Sequence, residues 1–167
     1  MVHDEADRRR YLVIYLQDHR AGADAGVRLA ERCRSHAGDP DTVAELSRLV
    51  ADIDEDRTSL AGIMTGLDVD SSRFKQVAGM AAERLGRLKL NGRIVRTSPL
   101  SVLVELEGLT GAVSLKRGLW VTLQTLAVGH DAELERLVAR ADDQRRRLET
   151  LHARTAAGLF GTRPAPV

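Results

Sequence analysis

The turn signals in this chain fall in a pattern that leaves few ways to fold it. Apolar residues recur at three- and four-residue steps from about Asp7 to His36, and again from Pro40 to Gly66, on either side of His36-Ala37-Gly38-Asp39-Pro40. The same pattern returns from about Ser98 to Gly158, broken at Val128-Gly129-His130-Asp131. Such periodicity predicts amphipathic helices. Asp39-Pro40 and Ser98-Pro99 are start signals: a capping side chain, then a proline whose missing N–H costs nothing at the first helical position. The chain therefore reads as two long helical hairpins joined by a connection of about thirty residues.

A short loop, a long crossover and a short loop are the connectivity of ferritin-like bundles. The fold expected is all-α, a ferritin-like four-helix bundle with an extra short helix in the crossover. That helix is placed at Ser71 to Leu88, with Phe74, Val77, Ala81 and Leu85 inward, before the turn signal Asn91-Gly92. Residues 1–6 read as a polar lead-in, 7–160 as one domain, and 161–167 as a disordered tail.

The expected core stripes are Tyr11, Leu12, Tyr15, Gly22, Gly26, Leu29 and Cys33 on the first helix, and Leu46, Leu49, Val50, Ile53, Leu60, Met64 and Leu67 on the second. The last helix offers Leu134, Leu137, Val138, Ala141, Leu148, Leu151 and Leu159. Gly22 and Gly26, four apart, fit either close approach of a neighbouring helix or plain tolerance of glycine in a long helix. The third helix carries two apolar faces. One is Val102, Leu106, Leu109, Val113 and Trp120; the other, a candidate self-association face, is Ala112, Leu115, Leu119 and Leu126. A bundle helix needs one stripe only, so the second must meet either the crossover or another subunit. Gly108, Gly111 and Ala112 would let a second helix come close.

Composition narrows the functional classes. The formal net charge is +1, so no long-range field gathers nucleic acid or an anionic membrane. Of 25 basic residues only Lys75, Lys89 and Lys116 are lysines, yet no region combines basic excess with interleaved aromatics. Arg145-Arg146-Arg147 stands among Asp142, Asp143 and Glu149, as on a solvated helix face. Cys33 is the single cysteine, excluding a disulfide framework and thiolate metal sites. The chain reads as soluble and cytoplasmic, without nucleic-acid or membrane partners, and without a cofactor.

Polar residues interrupt each inward stripe at similar heights. Counting outward from the two short turns places Asp18, His19, Asp56, Arg57, Arg117, and Gln144 or Arg145 in one mid-bundle layer. Ferritin-like metal proteins build their site at this depth from Glu residues and paired Glu-x-x-His motifs. The only such motif here is Glu149-Thr150-Leu151-His152, without a second copy. Arginine stays protonated and would repel metal ions, so the layer reads as structural, with no metal and no catalytic residue. The alternative is a metal-dependent oxidase or storage bundle using Asp18, His19, Asp56, Glu107, Glu149 and His152. Glu107 and His152 also fall level across the second hairpin, as an acid/base pair could.

Three stretches together carry a resemblance: Tyr15-Leu16-Gln17-Asp18-His19 with Ala21-Gly22-Ala23-Asp24-Ala25-Gly26; Glu55-Asp56-Arg57; and Leu85-Gly86-Arg87-Leu88-Lys89-Leu90-Asn91-Gly92-Arg93 with Ser98-Pro99-Leu100-Ser101 and Glu105-Leu106-Glu107-Gly108-Leu109. The chain resembles, from about Tyr11 to Ala157, a family of short uncharacterised bacterial proteins with a ferritin-like bundle. The resemblance implies the fold and no activity. The functional expectation is a non-enzymatic bundle acting through protein contacts, as a homodimer or with another protein.

Overall fold

The computed structural model describes residues 4–69 and 99–161. Four helices account for most of them: α1 (Glu5–His36), α2 (Pro40–Gly66), α3 (Pro99–Thr125) and α4 (Asp131–Phe160). No strand occurs among the described residues. The expected helix at Ser71 to Leu88, the Ser98 cap and the tail beyond Gly161 lie outside them.

Local chemistry sets the helix ends. The Asp4 carboxylate accepts from the Asp7 N–H at 2.7 Å, and Asp39 accepts from the Thr42 N–H at 2.9 Å, each satisfying a donor with no partner inside the helix. Pro40 opens α2 at its first turn. The turn between α3 and α4 uses Gly129 at φ 99° beside Ala127 at φ 50°. Past α2, it is Asp68 rather than a glycine that takes the left-handed conformation, at φ 52°, which short polar side chains tolerate better than most.

Contacts fix the helix directions. Arg9, near the start of α1, donates to the Leu67 carbonyl just past α2, so these helices are antiparallel. Tyr15 Oη donates to Thr122 Oγ1 at 3.3 Å and Arg32 Nε to Glu105 at 2.8 Å, so α1 and α3 are antiparallel too. Arg147 reaches Glu45 and Asp52, and Arg140 reaches Glu55, which makes α2 and α4 antiparallel. It follows that α3 runs parallel to α2. Each helix packs on two others, α1 on α2 and α3, and α4 on α3 and α2.

The interior is aliphatic. Leu16, Leu46, Leu49, Leu106, Leu109, Leu123, Leu134, Leu137 and Leu148 are wholly buried around Trp120. At about 25 cal/mol per Å2 of apolar surface removed from water, such a cluster is the main stabilising term. The stripes of α2 and α4 fall largely as expected, although Val50, Leu67, Val138 and Leu159 are half-buried. The α1 stripe is met in part: Gly26 and Cys33 are buried and Leu12, Tyr15 and Leu29 half-buried as expected, but Leu16, Gln17, Ala21 and Ala30 are buried too, Tyr11 is half exposed and Gly22 is exposed. A Cβ at Gly22 or Gly26 would meet no atom within 4 Å. Close helix approach is therefore not what these glycines serve.

Candidate functional site

A charged centre lies inside the four helices. Asp56 is 1% exposed, held inward by the same α2 stripe that buries Ile53 and Leu60. Gln144, wholly buried on α4, donates to Asp56 Oδ2 at 2.9 Å. Lys116 Nζ from α3 bonds the same oxygen and the Gln144 amide oxygen. Arg140 from α4 sets Nη2 against Asp56 Oδ1 and Nη1 against Glu55. The contact with Oδ1 is an ion pair without hydrogen-bond alignment. Asp56 is thus matched by Lys116 and Arg140, and Glu55 by Arg140 and, nearer the surface, Arg136.

The electrostatics follow from burial. Desolvation lowers the Lys116 pKa, and the attraction of Asp56 offsets part of that effect. Burial also opposes charge on Arg140, but Glu55 and Asp56 outweigh it and hold its pKa above the ordinary value. A buried pair of this kind adds little net stability, whereas removing one partner leaves an uncompensated charge and costs about 3–5 kcal/mol.

The layer expected from the sequence is only partly assembled. Asp56 and Gln144 belong to it. Asp18 and Arg145 are exposed, Arg57 turns to Asp24 and Asp54 in a groove between α1 and α2, and Arg117 pairs with Asp142 at 2.8 Å. His19 is half-buried against Tyr15, with ring centroids 4.5 Å apart, and burial lowers its pKa against the opposing pull of Asp18. Lys116 and Arg140 take the places given to Arg117 and Arg57. Their signal was in the sequence: Lys116 falls between Val113 and Trp120 on the buried stripe of α3, and Arg140 between Leu137 and Gln144 on that of α4. Height along a helix is easily counted, but one residue of error turns a side chain by about 100°.

The residues of the metal-binding alternative are dispersed. Asp18 and Glu149 are exposed, Asp56 is engaged by cations, and Glu107 meets His152 Nε2 at 3.1 Å on the outer surface. Among the described residues, no three His, Cys, Asp or Glu side chains gather as a metal site requires. A second acid went unnoticed in the sequence. Glu105, nearly buried, accepts from Arg32 at 2.8 Å and contacts His36 Nδ1 at 3.0 Å, tying the end of α1 to the start of α3. Cys33 lies wholly buried beside it; burial first, and Glu105 second, push its thiol up to about 12, which keeps it unreactive.

The outward surface of α3 is chemically different from the other helices. Leu100, Val104, Gly111, Leu115, Gly118 and Leu126 are exposed along it, Leu115 to 70%. Glu107 and Arg117 edge this strip on the α4 side. On the α1 side it continues into exposed Tyr11 and Ile14. Leu119, expected on this face, is 1% exposed and belongs to the core, and Ala112 is half-buried. The exposed face is therefore turned from the expected one, retaining Leu115 and Leu126.

A search of protein-family models, curated proteins and solved structures finds no match to this chain. No described helix is long and apolar enough to cross a membrane.

Proposed function

We propose that this protein is a non-enzymatic, ferritin-like helical bundle that acts through protein contacts, first of all with a second copy of itself. The observation that carries the reading is the outer face of α3, where a strip of apolar and small residues runs the length of the helix. Monomers seldom leave such a continuous strip in water. The helix directions support the ferritin-like arrangement, since α3 starts at the same end as the α1–α2 turn and runs parallel to α2. The interior supports a structural role, because Lys116 and Gln144 bond one oxygen of Asp56, the buried carboxylate of this layer among the described residues, and Arg140 is ion-paired with the other. A lone, buried thiol suits a reducing compartment such as the cytoplasm.

Sedimentation velocity over a wide concentration range tests the reading. Wild type should sediment as a dimer, and Leu115→Glu as a folded monomer with unchanged helicity, because Leu115 makes no use of the core. A wild type that stays monomeric at high concentration would sink it.

A further inference from the structure

The charged centre has more hydrogen-bonding capacity than its own side chains use. Asp56 Oδ1, Trp120 Nε1 and Arg140 Nε are buried, and none has a hydrogen-bond partner among the described residues. Buried polar atoms are rarely left so, because each has given up its bond to solvent. The two nitrogens stand at one height. Lys116 Nζ bonds the Gln144 amide oxygen across α3 and α4, and these helices are antiparallel, as the pairs Arg117–Asp142 and Glu107–His152 require. One turn on from Lys116 is Trp120, and one turn back from Gln144 is Arg140. Asp56 joins the same group, its Oδ1 ion-paired with Arg140 Nη2 and its Oδ2 bonded to Lys116.

We infer that this layer holds a buried water molecule, which accepts from Trp120 Nε1 and Arg140 Nε and donates to Asp56 Oδ1. The site is separate from the α3 face and does not depend on the contact reading. The count of donors and acceptors selects water. The occupant has to accept two hydrogen bonds and give one, whereas a halide or a carboxylate only accepts. An anion would also lie against the Asp56 carboxylate. A metal ion would meet two N–H donors and the fixed charges of Lys116 and Arg140. Interior waters make about three bonds to groups that the protein leaves unpaired, the number on offer here.

Small side chains leave room at this height. Of the three alanines buried among the described residues, Ala21 and Ala141 stand here. The register that sets Tyr15 beside Thr122 and Arg32 beside Glu105 brings Ala21 level with Lys116, and Ala141 adjoins Arg140 in the chain. Leucines fill most of the remaining core. The water also gives Asp56 and Arg140, whose direct contact lacks alignment, a hydrogen-bonded path to one another.

Crystals of the wild-type protein, grown in chloride-free medium and again with bromide, test the assignment. Both should show one water within about 3.2 Å of Trp120 Nε1, Arg140 Nε and Asp56 Oδ1, without anomalous signal from bromine. In solution the chain's one tryptophan gives a single indole N–H resonance. That proton should cross-relax with water with the sign of a long-lived bound molecule. A protein acceptor for Trp120 Nε1, an empty position, a water reaching only one of the two donors, or bromide in its place overturns the inference. So does density in the crystal without cross-relaxation in solution, since the water would then belong to the crystal alone. None of these outcomes bears on the dimer, which sedimentation tests by itself.

Discussion

Removing the Asp56 carboxylate strands Lys116 inside the bundle and leaves Arg140 paired with Glu55 alone. Asp56→Ala should therefore destabilise the protein by about 3–5 kcal/mol in urea titration. Arg57→Ala should cost no more than about 1 kcal/mol, because that guanidinium is one-third exposed and its nearer partner, Asp54, is nearly half exposed. Neighbours in sequence thus differ severalfold in consequence, a contrast that equal losses would refute. His19 gives a pH-dependent counterpart. Its folded pKa is depressed below 6.5, so the unfolded chain binds the proton first. The stability it contributes is complete above 6.5 and is lost as pH falls through the folded value. His19→Gln should flatten that part of the stability profile below about pH 7, relative to wild type. An unchanged slope would mean that the imidazole is as free to ionise in the fold as in the unfolded chain.

The helices show why a pattern of spacing carries so far and then stops. On α2 and α4 a single apolar stripe, broken by Asp56 or by Arg140 and Gln144, leaves one way to face the core. On α3, apolar and small residues surround most of the helix, and periodicity cannot say which face wins. The structure chooses the side bearing Leu106, Leu109, Leu119 and Trp120, and turns Leu115 outward. Substitution should read that choice directly. Leu119→Ala should cost about 2–5 kcal/mol as a buried truncation, whereas Leu115→Ala, measured on dilute protein, should change stability by no more than about 0.5 kcal/mol. Comparable losses would place both leucines in the core. The α1 stripe departs from its expected face towards the N-terminal half for a related reason: over 32 residues an ideal helix drifts away from any strict seven-residue repeat, by about 20° per repeat.

For the molecule as a whole, arginine–carboxylate pairs hold the two hairpins together on both seams, with side-chain packing and a hydroxyl contact added between α1 and α3. Leu29 beside Gly108, and Tyr15 with Thr122, join α1 to α3, while Arg140 and Arg147 reach across from α4 to the acids of α2. The cations occupy the depth at which a di-metal centre would stand. Protein soaked with ferrous, manganous or zinc ions and then desalted should therefore retain well under one ion per chain by elemental analysis. Retention of one or two ions, lost on changing His19 or His152 to Ala, would show that the dispersed carboxylates and histidines can reassemble around metal.

The four long helices, the Asp39-Pro40 start and the core stripes of α2 and α4 were legible from residue order, because capping and 3.6-residue periodicity act between near neighbours in the chain. The depth of the polar layer was legible too, since it needs only counting from a turn. Which cations enter that layer was decided in three dimensions. Lys116 and Arg140 reach Asp56 because the packing of three helices fixes their rotation, and rotation is set by contacts between residues 60 and 84 positions apart. The join of Glu105 to Arg32 and His36 has the same origin. So does the outward turn of Leu115, since a helix that is apolar on two sides buries whichever side its neighbours cover.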